Sequence, residues 1–294
     1  MVALVQGASS HQQLPEHPRL KEISGDLLQV NSLREAINEA QPDVIFHLAG
    51  QASPALSWQA PAFTMAINSG GTANILQAAE TYGRPRIVVV TSADVYSKIT
   101  PEMLPLTEKT EQQPGHPYGI SKVAAGRLVA VYWERYQLPV VEARPFNHIG
   151  PRQTTGFVVP DFASQLASIK LGLQAANMSV GNLDAQRDFT DVRDVARAYA
   201  DLADHGQPGQ SYLICSGRPV PIRYLLDTLV DLSGVEAKIS YDPARMRPSD
   251  TPVVYGSHER ITADTGWQPE IAIEQSLADA LDDWLARKQS SIDR

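Results

Sequence analysis

Short apolar runs alternate with longer amphipathic stretches along the first half of the chain. The runs at 2–5, 20–23, 43–48, 86–91 and 138–143 have the length and branched-chain content of buried strands. Between them, apolar residues three and four apart predict helices over 30–39, 62–82 and 118–136, the second carrying Ile67, Ile75, Ala78 and Ala79 on one face. Strands alternating with helices of these lengths predict an α/β fold, a doubly wound parallel sheet covered by helices on both faces.

After Arg144 the texture changes to loops rich in Pro, Gly and Asn between shorter elements. Helices are expected over 160–171, 192–204 and 222–233, with a strand at 212–215. Residues 1–150 read as one domain and 151–294 as mainly a second, smaller α/β domain interleaved with elements that return to the first sheet. No internal repeat and no low-complexity linker interrupts the pattern.

A length of 294 residues is enough for such a pair of domains. The 25 basic against 33 acidic residues leave a net charge of −8, which argues against nucleic acid as a partner. The one cysteine, Cys215, cannot form an internal disulfide. Apolar runs far shorter than a bilayer span, and a start without a basic stretch or cleavage-site pattern, predict no membrane association and a cytoplasmic location. No His, Cys or carboxylate spacing suggests a metal site.

The strongest chemical signal is Tyr118-Gly-Ile-Ser-Lys122 at the start of a helix. Residues four apart share a helix face, and an ammonium beside a phenol is expected to lower the phenol's pKa into the range of an acid/base catalyst. Upstream, Val88-Val-Val-Thr-Ser92 sets a hydroxyl at the carboxyl end of an apolar strand, where open α/β sheets bind their ligands. Ser92 there can hydrogen-bond a substrate oxygen whose proton Tyr118 supplies or removes.

With these motifs go Gly25-Asp26-Leu27, His47-Leu-Ala-Gly50, Asn68 before Gly70-Gly-Thr72, Val95-Tyr96, Arg144-Pro-Phe-Asn147, Arg187-Asp-Phe189 with Asp191-Val192, and Gly266-Trp267-Gln-Pro269. Jointly they resemble the extended short-chain dehydrogenases/reductases, the NAD-dependent epimerase/dehydratase family, over nearly the whole chain. The stretch Arg144-Pro-Phe-Asn-His-Ile-Gly-Pro-Arg-Gln153 followed by Gly156-Phe-Val-Val159 looks most like the GDP-4-keto-6-deoxy-mannose reductases within it. Met246-Arg247 and Gly256-Ser257-His258 point the same way.

The resemblance implies a Rossmann-like dinucleotide-binding domain over 1–150 and a substrate domain beyond. It implies NADP or NAD as cofactor and a GDP-linked keto-deoxy sugar as substrate, reduced at C4 to GDP-D-rhamnose. Ser92, Tyr118 and Lys122 match the catalytic triad, and Tyr118 and Lys122 also match cofactor-binding positions, Lys122 holding the nicotinamide ribose. Asp26 and Leu27 match positions that contact adenine, and Leu48, Ala49 and Gly50 a loop along the cofactor. Asn147 stands where the family meets the sugar diphosphate, and Arg187 and Arg247 where guanidinium groups meet phosphates, a role suited to their bidentate fork. The helices at 62–82 and 118–136 match those that pair two subunits in relatives, which implies a homodimer.

Plainer readings stand beside these. Asp26 can simply shape a turn, His47 and Cys215 are expected in the core, and Arg187 can pair with a carboxylate such as Asp191. A GDP-mannose 4,6-dehydratase is the nearest alternative activity. Family dehydratases carry a glutamate where Asp94 stands, one methylene longer, which favours the reductase. The chain also departs from the family pattern. Gly7-Ala-Ser-Ser-His-Gln-Gln offers neither the glycines nor the apolar helix that cradle a pyrophosphate, and Gln6 and Gly7 supply no group to choose between NAD and NADP. Spacing to Asp26 predicts that a first strand–helix unit of about 30 residues is absent. The strands at 2–5 and 43–48 then lose the neighbour between them. A nucleotide-sugar-binding protein without catalysis is the corresponding alternative.

Overall fold

The computed structural model describes residues 1–6, 14, 17–245 and 251–293. The glycine-poor segment that opens at Gly7 and Arg247 both lie outside the described residues. The order of elements is β1 (Val2–Val5), β2 (Lys21–Ser24), α1 (Val30–Ala40), β3 (Val44–His47), α2 (Pro54–Gln59), α3 (Pro61–Met65), α4 (Gly71–Thr81), β4 (Arg86–Val90), α5 (Pro117–Tyr136) and β5 (Val140–Pro145). It continues with β6 (Asn147–Ile149), α6 (Val158–Lys170), β7 (Asn177–Val180), β8 (Gln186–Asp191), α7 (Val192–His205), β9 (Ser211–Ile214) and β10 (Pro219–Pro221). Last come α8 (Ile222–Ser233), β11 (Lys238–Tyr241), β12 (Val253–Val254), α9 (Glu259–Thr265) and α10 (Ile273–Ile292). The fold is α/β with parallel sheets, as the alternation of runs predicts.

Two compact units divide the chain: Met1–Ser97 with Glu111–Arg144 and Tyr199–Tyr212, and Lys98–Thr110 with Pro145–Ala198 and Leu213–Arg294. β3, β4, β5 and β9 are neighbours in one sheet. Ile87, Val89 and Val140 from that sheet pack with Leu33 and Ile37 of α1, Ile75 and Leu76 of α4, and Val129 of α5. Ile75 is among the positions whose spacing marked a helix, Ile87, Val89 and Val140 lie in runs read as strands, and burying each such side chain contributes about 1.5–3 kcal/mol.

The single helix expected over 62–82 is instead interrupted. Pro61 starts α3, a five-residue wide turn, Ala66–Gly70, follows, and α4 begins at Gly71. Two reasons are visible. Asn68, inside the wide turn, uses its amide on groups outside the helix, and paired glycines are poor helix formers. Gly71 also lets Leu27 approach, since a Cβ there would lie 3.2 Å from the Leu27 Cβ.

β1 and β2 form a separate two-stranded parallel sheet, so β1 and β3 share no ladder. Phe46 of β3 and Val2 and Leu4 of β1 are correspondingly exposed.

The second unit has its own core, in which Phe162 and Leu166 of α6, Met178 of β7, Phe189 of β8 and Leu225 and Leu229 of α8 meet Leu277 and Leu281 of α10. β8 is its hub, pairing with β10 antiparallel and with β6 and β12 in parallel. Neither β8 nor α10 was expected from the pattern: β8 mixes charged residues into a buried strand, and α10 carries few large apolar residues.

β4 and β5 are buried between neighbours, whereas β1 and β3 each have one bonded side. Hydrogen–deuterium exchange read by mass spectrometry is expected to show β1 and β3 amides exchanging roughly tenfold faster than those of β4 and β5. Equal protection contradicts the two-sheet arrangement.

Candidate active site

β4 ends at Val90, Thr91 still donates its N–H to the Ala143 carbonyl of β5, and the short turn Ala93–Val95 follows Ser92. The Ser92 Oγ accepts the Asp94 N–H at 3.1 Å, capping the short turn Ala93–Val95, and is hydrogen-bonded to the Tyr118 phenol. Tyr118 is the second residue of α5, and Lys122 lies one turn on. The Lys122 Nζ donates to the Val90 carbonyl at 3.0 Å and sits 5.8 Å from the centre of the Tyr118 ring. The hydroxyl, phenol and ammonium are therefore gathered where β4 ends and α5 begins, all in the first unit.

Burial, then the Asp94 carboxylate, push the Tyr118 phenol above its ordinary range, against the pull of the Ser92 hydrogen bond. The expectation that Lys122 lowers it is not met in this arrangement, because the ammonium bonds a backbone carbonyl and lies over the ring. Burial lowers the Lys122 ammonium to about 8, opposed by the Glu142 carboxylate. At neutral pH the phenol thus keeps its proton while the ammonium is mostly charged.

His116, a residue the sequence reading passed over, caps α5. Its Nδ1 accepts the Gly119 N–H at 3.0 Å, its ring stacks on Tyr118 with centroids 5.9 Å apart, and its Nε2 is 4.0 Å from Asp94. A polar residue just before Pro117 is the sequence signal of a helix start that could have found it. Gly119 is required by close approach, since a Cβ there would lie 2.5 Å from the Asp94 carbonyl oxygen.

Asn68 ties this corner to the turn after β3. Its Oδ1 accepts the Gln51 N–H at 2.8 Å, and its Nδ2 donates to the Gln51 carbonyl and to the Ser121 hydroxyl. Residues Leu48, Ala49 and Gly50 are exposed in that turn, and a Cβ on Gly50 would lie 3.6 Å from the Lys122 Nζ. Asp26 forms a turn: its Oδ1 accepts the Leu28 N–H at 2.9 Å, and its own N–H donates to Ser32. The Leu27 carbonyl accepts from Asn74 at 2.7 Å.

The second unit carries the other polar candidates. Asn147, exposed on β6, donates to the Asp188 carbonyl at 3.1 Å. Arg187 donates to the Gln186 and Thr251 carbonyls. It does not pair with Asp191, whose two carboxylate oxygens are taken by the guanidinium of Arg193 at 2.8 and 2.7 Å. The Asp188 carboxylate, fully buried, accepts the N–H and hydroxyl of Ser216 and the N–H groups of Gly217 and Gly256. That carboxylate gathers three chain segments and was not marked by any motif beyond its place in Arg187-Asp-Phe189. Cys215 is buried in the core, where burial raises its thiol. Among the described residues no cluster of three metal-ligating side chains occurs, and no helix is long and apolar enough to cross a membrane.

Residues 4–280 match the family described as GDP-mannose 4,6 dehydratase. The GDP-6-deoxy-D-mannose reductase of Pseudomonas aeruginosa is 43% identical over 263 residues, 89% of this chain and 86% of its own length. The GDP-mannose 4,6-dehydratase of Yersinia enterocolitica is 25% identical over 287 residues, 87% of this chain and 76% of its own. The solved structure of RMD from Pseudomonas aeruginosa complexed with NADPH superposes with a TM-score of 0.86 at 40% identity, covering 92% of each chain.

His47 stands in the core, its Nε2 3.1 Å from the Thr72 hydroxyl, and burial and the Lys122 charge lower its pKa from 6.5 to about 4. The folded state therefore binds fewer protons at this residue than the unfolded state below pH 6.5. Stability from His47 is complete above that pH and declines as pH falls toward 4, by about 3 kcal/mol in all. Urea unfolding of the wild type and His47→Gln between pH 4 and 7 is expected to show a smaller loss on acidification in the variant. Parallel curves contradict it.

Proposed function

The chain belongs to the GDP-mannose 4,6 dehydratase family of extended short-chain dehydrogenases/reductases, and on that premise we propose that it reduces the C4 keto group of GDP-4-keto-6-deoxy-D-mannose to give GDP-D-rhamnose. The observation that carries the reading is the convergence of Ser92, Tyr118 and Lys122, with the phenol protonated, in a chain 43% identical to a reductase. The 25% identity to a dehydratase is far lower, which favours reduction over loss of water.

Reduction of a ketone adds a hydride to carbon and a proton to oxygen. NADPH or NADH, when bound, supplies the hydride. The chain's own residues supply the proton and the orientation. Tyr118, held neutral by burial and Asp94, donates its phenolic proton to the developing C4 alkoxide. The Ser92 hydroxyl hydrogen-bonds the same oxygen, and the Lys122 ammonium stabilises the phenolate that remains.

The residues present fit the cofactor at this corner. Lys122 has three donors and spends one on Val90, and the exposed turn of Leu48, Ala49 and Gly50 lies beside it without side-chain bulk at Gly50. These groups, with Asp26 and Leu27, are proposed to hold the nicotinamide ribose and the adenine end. Asn147, Arg187 and Arg247 are proposed to meet the sugar diphosphate. One observation supports a second reading, a GDP-sugar-binding protein without catalysis: β1 and β3 share no ladder, and β1 pairs with β2 in a sheet of its own.

A homodimer in the cytoplasm completes the proposal. Ile120 and Val131 lie on one face of α5 and are exposed apolar residues, as are Trp58 and Phe63 of the preceding helices, and a second copy of α5 covers such a face.

The wild-type chain is expected to convert GDP-4-keto-6-deoxy-D-mannose and NADPH to GDP-D-rhamnose, and Tyr118→Phe to lose about 10²–10⁴-fold in kcat while NADPH affinity stays within about threefold. Calorimetry that detects GDP-sugar binding but no NADPH binding establishes the second reading instead. Light scattering is expected to give a dimer mass for the wild type and a monomer mass for Val131→Glu. A monomeric wild type refutes the dimer.

A further inference from the structure

Behind the acid/base corner lies a buried carboxylate that the reduction itself does not use. Glu142, on β5, is 1% exposed and accepts four hydrogen bonds. Its Oε1 takes the Thr91 hydroxyl at 2.6 Å and the Arg144 Nε at 3.1 Å, and its Oε2 takes the Arg144 Nη2 at 2.7 Å and the Ser211 hydroxyl at 2.5 Å. Arg144, equally buried, spends its Nη1 on the Tyr96 hydroxyl at 2.5 Å. A buried ion pair is a costly way to join β4, β5 and β9, and apolar residues of similar volume often serve stability as well or better.

Its placement suggests another reason. Gly126 of α5 is one turn beyond Lys122 on the same helix face, and a Cβ there would lie 2.5 Å from the Glu142 Oε1. The carboxylate thus presses on bare helix backbone next to the base of Lys122. Thr91, which Glu142 holds, stands between Val90, whose carbonyl accepts the Lys122 ammonium, and Ser92, which bonds Tyr118.

We propose that Glu142 is a positioning residue for the acid/base centre: clamped against the Gly126 face of α5, it is the buried negative charge that keeps the Lys122 ammonium charged and pins the corner formed by Val90, Thr91 and Ser92. This rests on the reading of Tyr118 and Lys122 as the proton-transfer pair. The other titratable or charged groups around this centre among the described residues are His47 of β3, lowered to about 4 and so neutral at working pH, Tyr118 on the same helix as Lys122, also neutral, and the Arg144 guanidinium, which is paired with Glu142 itself. Glu142 is the counter-charge that opposes the burial of Lys122.

The test follows the charge on Lys122 directly, by NMR titration of lysine labelled at Cε and Nζ, beside the pH profile of turnover. In the wild type the midpoint is expected at about 8. Glu142→Gln is expected to lower it by about one pH unit, so that turnover falls about fivefold at pH 8 and less than twofold at pH 6. Because that variant leaves Arg144 without its carboxylate, Glu142→Gln/Arg144→Met, which removes both charges, is titrated too and is expected to shift in the same direction. Glu142→Asp, which keeps the charge, returns the midpoint toward the wild-type value. A folded double variant with an unmoved Lys122 midpoint, or a loss of turnover equal at every pH, overturns the proposal and leaves Glu142 a structural residue. A wild type without turnover overturns the reductase reading, and the NMR midpoints still decide this one.

Discussion

A buried ammonium that must be bonded organises this site. Lys122 is almost fully enclosed, so its Nζ needs acceptors, and it finds the Val90 carbonyl at the end of β4. That bond fixes α5 against β4 at the point where the sheet ends. Tyr118, one turn earlier on the helix, is thereby carried to Ser92, two residues beyond Val90. The geometry of the site follows from a helix period and a strand terminus held together by one charge-assisted hydrogen bond.

The surroundings share the same economy. The wide turn at Ala66–Gly70 gives up regular helix so that Asn68 can bond the backbone of Gln51 and the hydroxyl of Ser121 at once. One amide thus locks the exposed turn after β3 to the residue preceding Lys122. Irregular helix of this kind is common at functional sites, where a side chain is needed in a direction that a straight helix does not offer. His116 does similar work at the other end, capping α5 while stacking on Tyr118.

In the second unit a single carboxylate has the organising role. Asp188 is buried and accepts from backbone groups of two loops, so Ser216, Gly217 and Gly256 converge on β8. The neighbouring Arg187 is turned to backbone carbonyls, and its partner expected from spacing, Asp191, is instead closed off by Arg193 and Ser276.

Sequence alone determined the α/β class, the strands at β3, β4 and β5, the helix α5 and the one-turn spacing that sets Tyr118 and Lys122 on one helix face. Each of these rests on a local rule: apolar runs bounded by turns, the helix period, and residue types whose chemistry depends on a spacing of four. Tertiary structure decided the rest. The helix over 62–82 breaks because Asn68 bonds residues distant in sequence, β8 is buried despite its charges because Asp188 and Asp191 find partners, and α10 is held by a core built from other elements. The charge state of the site belongs to the same class. Whether Lys122 lowers the Tyr118 phenol depends on what the ammonium touches, and burial, Asp94 and Glu142 act on the pair from elements far apart in the chain. Spacing brings two side chains to one helix face, but only packing sets the dielectric and the partners that fix their protons.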